Sequence, residues 1–257
     1  MDQAGGARYP RSEKTGKGQG AVLLCAILWS TSGLFIKLVN WNPVVIAGTR
    51  SLIAAAFLLA LRLLRRRPLG EVRLPGRVFR GDSFFTLTGG LAYAVTMIAF
   101  VIANKHTASA NAILLQYTAP VWAAILGWLI AREKPRGEHW AALGLVLFGM
   151  FLFFRDSLGR GGFLGDILAV VSGISFGAHS ALLRMIKRGD TAEAMLFAHI
   201  ACFLFSIPFL FIYPPGLSPA PLLAILFMGT VQIGAASALF AYGIKRISAV
   251  EAMLTAM

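Results

Sequence analysis

Apolar residues run along this chain in long blocks rather than in alternation. Residues 20–36 contain no Asp, Glu, Lys or Arg, and Pro43 opens a second block that ends near Leu64 and carries Arg50 inside it. Further blocks cover 83–103, 108–131, 139–154 and 163–185. The stretch 194–244 then has no formal charge, too long for one crossing, and the prolines at 214, 215, 219 and 221 divide it. Spans at 192–213 and 220–243 result, and a ninth block starts at Ser248. A membrane helix needs about 20 mostly apolar residues. Backbone groups in lipid must be satisfied within the segment, so these blocks are predicted helices. A membrane β-barrel would need short alternating segments, and the chain has none of that pattern.

Composition agrees. Apolar residues make up 57% and charged residues 14%, where a globular domain has about 25% charged. Mean hydropathy is +0.72. Disorder and an ordinary soluble enzyme are excluded, and an all-α polytopic membrane protein is expected.

The net charge of +13 would suggest nucleic acid in a soluble chain. Its distribution gives a different reading. With the N-terminus inside, nineteen of the 24 Lys and Arg fall in inner segments, and the others are Lys37, Arg50, Lys105, Arg155 and Arg160. That bias predicts a cytoplasmic N-terminal tail over residues 1–19 in a multi-pass cell-membrane protein, with no nucleic-acid partner. The run from Leu61 to Arg67 reads as a membrane-surface anchor that can touch anionic lipid. The polar, basic start does not read as a cleavable signal. Cys25 and Cys202 lie inside apolar blocks and read as small buried hydrophobes, neither disulfide partners nor metal ligands.

The chain also repeats itself. Phe100-Val-Ile-Ala-Asn-Lys105 lies over Phe240-Ala-Tyr-Gly-Ile-Lys245 at an offset of 140, and Asn111–Leu114 lies over Glu251–Leu254 at the same offset. Trp29–Lys37 lies over Phe176–Arg184 at an offset of 147. Five spans in the first copy reverse the second, and inverted repeats of this kind place a solute site between the halves near mid-membrane.

Three segments carry a family resemblance: Trp29-Ser-Thr-Ser-Gly-Leu-Phe-Ile-Lys37, Arg50-Ser-Leu-Ile-Ala-Ala-Ala-Phe57, and the stretch Ala103–Pro120 that joins spans three and four. From about Gly20 onward the chain resembles the EamA-type branch of the drug/metabolite transporter superfamily. The resemblance implies ten helices in two inverted five-helix repeats around a central cavity, without ATP hydrolysis and without a cofactor. The expected organisation is a first repeat at 20–154 and an incomplete second at 163–257, with eight helices and the start of a ninth present. Met257 aligns with Tyr117, so residues 118–154 of the first copy have no counterpart. On that reading the 257 residues are a fragment that inserts but transports poorly.

The candidate cavity residues are Trp29, Arg50, Tyr93, Gln116, Tyr117, His179, Gln232 and Tyr242. Two readings of Arg50 stand: a cavity charge for an anionic or zwitterionic solute, or an arginine that snorkels outward or bonds a helix end. His179 is either a solute or proton contact, or a hydrogen-bonded packing residue. Trp29 is either cavity wall or lipid-facing. Tyr117 and Pro120 share a face of span four, and the proline frees a carbonyl near Gln116 that a cavity can use. Lys37, Lys105 and His199 read as interface anchors and packing, and Ser248–Glu251 as a capping box. Asp166 suits the N-terminal dipole of span six. Gly173-x-x-x-Gly177 and Gly234-x-x-x-Ala238 read as close-packing seams, within one chain or between the two copies of a homodimer.

The leading expectation is a secondary transporter moving a small metabolite (amino acid-like, nucleotide-sugar-like or drug-like) by alternating access. A membrane-embedded transferase or protease would need acid pairs, His pairs or a Ser/His dyad at depth, and no such cluster or motif is present in the spans. A lipid flippase on the same fold is the other alternative.

Overall fold

The computed structural model describes residues 13–64, 82–154, 162–187 and 190–257. The polar tail up to residue 12, the arginine cluster at 65–67 and the 155–161 loop with Arg155 and Arg160 lie outside the described residues. Among the described residues twelve α-helices follow in order: α1 (Glu13–Trp29), α2 (Ser32–Leu38), α3 (Pro43–Leu64), α4 (Asp82–His106), α5 (Ser109–Gln116), α6 (Ala119–Ala131), α7 (Gly137–Phe154), α8 (Phe163–Arg184), α9 (Thr191–Ile212), α10 (Pro219–Phe227), α11 (Ala236–Ile244) and α12 (Ala249–Thr255). A π-helical stretch, Met228–Ala235, joins α10 to α11. Seven continuous or interrupted helices among the described residues are long and apolar enough to cross a bilayer. Helix α7 is apolar but shorter, and α12 is one short helix of 7 residues.

Two spans break where hydroxyls compete with the backbone. Ser30 Oγ donates to Ile27 O at 2.8 Å, and the chain leaves α1 for α2 at Ser30–Thr31. Thr118 Oγ1 donates to Leu115 O at 2.9 Å between α5 and α6, with Pro120 unable to close the next turn. Side-chain bonds back to carbonyls of the preceding turn bend helices, and a missing N–H breaks one. The π-helical stretch opens the third irregularity. It packs on α3, where a Cβ on Gly229 would stand 2.5 Å from Ile53 Cβ and one on Gly234 would stand 2.8 Å from Phe57 Cδ1. Gln232 Nε2 donates to Thr31 Oγ1 at 2.8 Å, so the π stretch is tied to the break in span one.

Several packing partners are related by the sequence offsets. Offsets of 140 and 147 lay α3 over α9, α4 over α10 to α11, and α5 over α12, nearly end to end. Helix α4 packs on α8 as α11 packs on α1, and α3 meets its own counterpart α9. Lys37, at the end of α2, bonds the carbonyl of Thr107 at 2.9 Å, and Thr107 Oγ1 in turn bonds Asp166 at the start of α8 at 2.8 Å. The end of one helix and the start of its counterpart therefore lie together, so the counterparts run antiparallel.

Small residues seat these contacts. A Cβ on Gly177 would lie 2.6 Å from Trp122 Cβ and 2.7 Å from Ala119 O, and one on Gly173 would lie 2.5 Å from Thr118 Oγ1. The Gly173–Gly177 seam joins α8 to the α5–α6 break within this chain. Gly173 also sits over the carbonyls of Leu115 and Gln116, at 3.3 and 2.9 Å from an added Cβ. The carbonyl near Pro120 thus meets helix α8, where the sequence suggested the cavity.

Candidate functional site

A cavity of about 210 Å³ lies where the irregular segments converge. The α1–α2 break supplies Trp29, Ser30 and Ser32; α3 supplies Arg50; α4 supplies Tyr93, Thr96, Met97 and Phe100. The α5–α6 break supplies Ile113, Gln116, Tyr117, Ala119 and Pro120. From the second half come Phe176, Ile233, Met253, Ala256 and Met257. Residues related by the sequence offsets line it in pairs: Trp29 with Phe176, Tyr93 with Ile233, Ile113 with Met253, and Gln116 with Ala256. Trp29 and Phe176 touch, with ring centroids 5.4 Å apart and edge to face. The cavity is therefore lined from both halves of the chain.

Its two sides differ in chemistry. Among the described residues every polar side chain that lines it (Ser30, Ser32, Arg50, Tyr93, Thr96, Gln116 and Tyr117) comes from the first half, and every lining side chain of the second half is apolar. Gln116 Nε2 donates to Ser172 Oγ at 2.6 Å, and Ser172 Oγ donates to Thr96 O at 3.2 Å, so the amide is fixed across three helices. Arg50 is 2% exposed, and its Nε has no hydrogen-bond partner among the described residues.

Five of the eight residues expected from the sequence, namely Trp29, Arg50, Tyr93, Gln116 and Tyr117, line this cavity. Arg50 neither snorkels to the surface nor bonds a helix end. His179 is fully buried one layer behind: its ring stacks on Tyr93 at 4.6 Å, and its Nδ1 donates to Gly89 O at 2.7 Å. Gln232 is also buried, held by Thr31 behind the wall. Tyr242 is 42% exposed, and the Arg246 guanidinium lies over its ring at 3.4 Å. Its position on α11 turns it outward, away from the cavity, because the residue that continues the inward stripe is Phe240, packed on Trp29 at 5.6 Å. His199 bonds Ser237 Oγ at 2.9 Å within the core.

Sequence reasoning missed Ser30, Ser32, Thr96, Phe100 and Phe176. The signal for Phe176 was available, since the repeat lays it over Trp29. The hydroxyl run Ser30-Thr31-Ser32 was the signal for a helix break.

The two ends of the bundle are tied differently. At one end Lys37 Nζ donates to Thr107 O at 2.9 Å and Lys105 Nζ to Val39 O at 2.6 Å, so α2 and α4 each supply the cation that caps the other's last turn. At the opposite end Glu133 pairs with Arg184 at 2.6 Å and accepts from Ala249 N at 3.2 Å, while Arg184 also donates to Ile244 O at 2.9 Å. Arg184 is the repeat counterpart of Lys37. Nearby, Arg62 pairs with Glu193 at 2.8 Å. Ser248 accepts from Glu251 N at 3.2 Å, but the Glu251 carboxylate takes Gln19 at 2.6 Å, so only half of a capping box forms. Among the described residues no group of three His, Cys, Asp or Glu could hold a metal, and both cysteines are buried and free.

Known proteins agree with this architecture. The chain is 26% identical over 240 residues to the transporter YwfM of Bacillus subtilis, covering 90% of this chain and 78% of that one. It is 25% identical over 253 residues to a transporter of Archaeoglobus fulgidus, covering 93% and 82%. Human solute carrier family 35 member G1 is 26% identical over 195 residues, covering 70% of this chain and 51% of that one. A crystal structure superposes with a TM-score of 0.70 at 19% identity, over 94% of this chain and 84% of the other, and shares the fold. Residues 16–155 match the EamA-like transporter family, which covers more than half of the sequence. With its apolar spans and transporter relatives, the chain belongs to the EamA-like transporter family of multi-pass membrane proteins.

Proposed function

We propose that this chain moves a small metabolite across the cell membrane as a secondary transporter, by alternating access, with its N-terminus in the cytoplasm. The observation that carries this reading is the cavity lined in counterpart pairs from two antiparallel repeats. A site on a pseudo-two-fold axis is equally distant from both ends, so the same rocking motion exposes it to either side. The ties at the two ends support the motion. The Lys37–Thr107 and Lys105–Val39 bonds tie helices at one end, and the Glu133–Arg184–Ala249 cluster ties them at the other. Each consists of a few polar contacts, the scale of interaction that a bound solute can offset.

The experiment is reconstitution into proteoliposomes, incubation with a metabolite mixture, washing, and mass spectrometry of the retained solutes. Enrichment of a discrete, chemically unchanged solute over protein-free vesicles is expected. Conversion of a solute without retention would favour an embedded enzyme. Retention of none, with either orientation of the protein, would overturn the transporter reading.

A further inference from the structure

We infer that the cavity takes a small amphipathic organic anion, one carboxylate on an apolar or aromatic body, with Arg50 as the group that fixes the carboxylate. This rests on the transporter reading of the same cavity and names the class of its solute.

The first observation is the unpaired charge. Arg50 lines the cavity at 2% exposure, and its Nε has no partner among the described residues. Ion pairs among the described residues include Arg62–Glu193, Arg136–Glu138 and Arg184–Glu133, and none of these involves Arg50. Among the described residues no carboxylate side chain lines the cavity. A buried guanidinium without a counter-ion is costly, and its planar fork of donors matches a carboxylate bidentately. No described residue supplies the missing partner, and a bound anion fits its place.

The second observation is the split wall. Polar side chains face the cavity from the first repeat only, while Phe176, Ile233 and Met253 close it from the second. A solute lying across the axis meets a cation and hydroxyls at one end and hydrocarbon at the other. A uniformly polar anion would desolvate against the apolar wall without return. A zwitterion would bring an ammonium that finds no carboxylate side chain among the lining residues. The third observation is size: a cavity of about 210 Å³ has room for a solute of the size of a single substituted ring.

Benzoate serves as the probe, with benzamide as its neutral counterpart of nearly the same shape, phenylglycine as the zwitterion and benzylamine as the cation. Equilibrium dialysis of radiolabelled benzoate with the full chain in mild detergent, competed by the other three, gives relative affinities. Benzoate is expected to bind at least about tenfold tighter than benzamide, the value of one charge-assisted hydrogen bond, with phenylglycine and benzylamine weaker than benzoate. Arg50→Gln is expected to remove the acid-over-amide preference and leave benzamide binding within about twofold. That variant orphans no partner, so the fold is expected to survive. Arg50→Lys is expected to retain the preference in part. Equal affinity for acid and amide in the unaltered chain, tighter binding of phenylglycine than of benzoate, absence of benzoate binding, or an unchanged preference in Arg50→Gln would each overturn the proposal. Solute retention by proteoliposomes judges the transporter reading separately, so either can fail without the other.

Discussion

Helices α3 and α9 are repeat counterparts that cross at Gly48 and Ser206, and the crossing permits a size-swap test. A Cβ on Gly48 would fall on both Cβ and Oγ of Ser206, while Ser206 Cα would stand at 3.7 Å, an ordinary contact. Rotation about χ1 moves Oγ but not Cβ, so Gly48→Ala forces the two helices apart. Overpacking of this kind costs about 1–3 kcal/mol, and the immovable Cβ places Gly48→Ala in the upper half of that range. Ser206→Gly removes both offending atoms. Its hydroxyl bonds only the local Phe203 O, at 2.6 Å, so the single change is expected to cost about 1–2 kcal/mol through lost helix propensity and a small void. In the double variant the methyl introduced at position 48 fills the space that Ser206 vacates, and the two propensity changes nearly cancel. The double variant should therefore be more stable than Gly48→Ala alone, with a coupling of about 2 kcal/mol. SDS titration of the folded chain in mixed micelles, monitored by tryptophan fluorescence, gives the four free energies of the cycle. A coupling below about 0.5 kcal/mol, the scatter expected of independent sites, would show that the counterparts do not meet there.

The remaining expectations use other contacts. Glu133→Ala breaks a pair whose side chains are 21% and 24% exposed (Arg184 and Glu133) and removes the acceptor of Ala249 N; a loss of about 1–2 kcal/mol is expected, between the exposed and buried limits for ion pairs, and no loss in the same titration would refute it. In a background without Cys25 and Cys202, a membrane-impermeant thiol reagent applied to intact cells should label Gly216→Cys and spare Lys134→Cys; the reverse pattern would overturn the orientation. The Lys37→Met/Lys105→Met pair should raise the labelling rate of Ser32→Cys several-fold, because two helix-end caps are lost; an unchanged rate would mean that these lysines do not close that end. Gly229→Ala sets a methyl 2.5 Å from Ile53 Cβ and 2.9 Å from Arg50 O, so it should weaken benzoate binding along with stability; unaltered binding would mean that the π stretch does not position Arg50.

Helix positions were legible because bilayer thickness and backbone satisfaction leave few options. The predicted runs 43–64, 192–213 and 220–243 lie within a residue or so of α3 (Pro43–Leu64), α9 (Thr191–Ile212) and α10 to α11 (Pro219–Ile244). What hydropathy could not show is irregularity inside a span. The breaks after Trp29 and Gln116 and the π stretch at Met228–Ala235 keep the same apolar content as unbroken helix. Only local hydrogen-bond competition distinguishes them, through Ser30, Thr118 and Pro120. The ion pairs were equally hidden. Glu133 and Arg184 are 51 residues apart, and no periodicity joins a loop acid to a helix-end base.

The site was legible to the extent that a polar group in a span must face something other than lipid. That argument selected Arg50, Gln116 and His179 alike, since each is too costly to leave in hydrocarbon. It could not separate a group facing a cavity from one facing another helix. His179 meets part of its need with Gly89 O, and Gln232 meets part of its need with Thr31. Tyr242 satisfies the same rule by the opposite route, outward beneath Arg246. The distinction depends on which partner the fold supplies, and Arg50 is the charged member of the set for which none is supplied. The repeat sharpens the point. At the offset of 147 the counterpart of Arg50 is Phe197, which does not line the cavity. The scaffold is duplicated and the charge is not. A two-fold axis would place two like charges across one small cavity, where each would raise the cost of burying the other. A single guanidinium on one repeat, opposite an apolar wall on the other, avoids that repulsion and gives the bound solute one orientation.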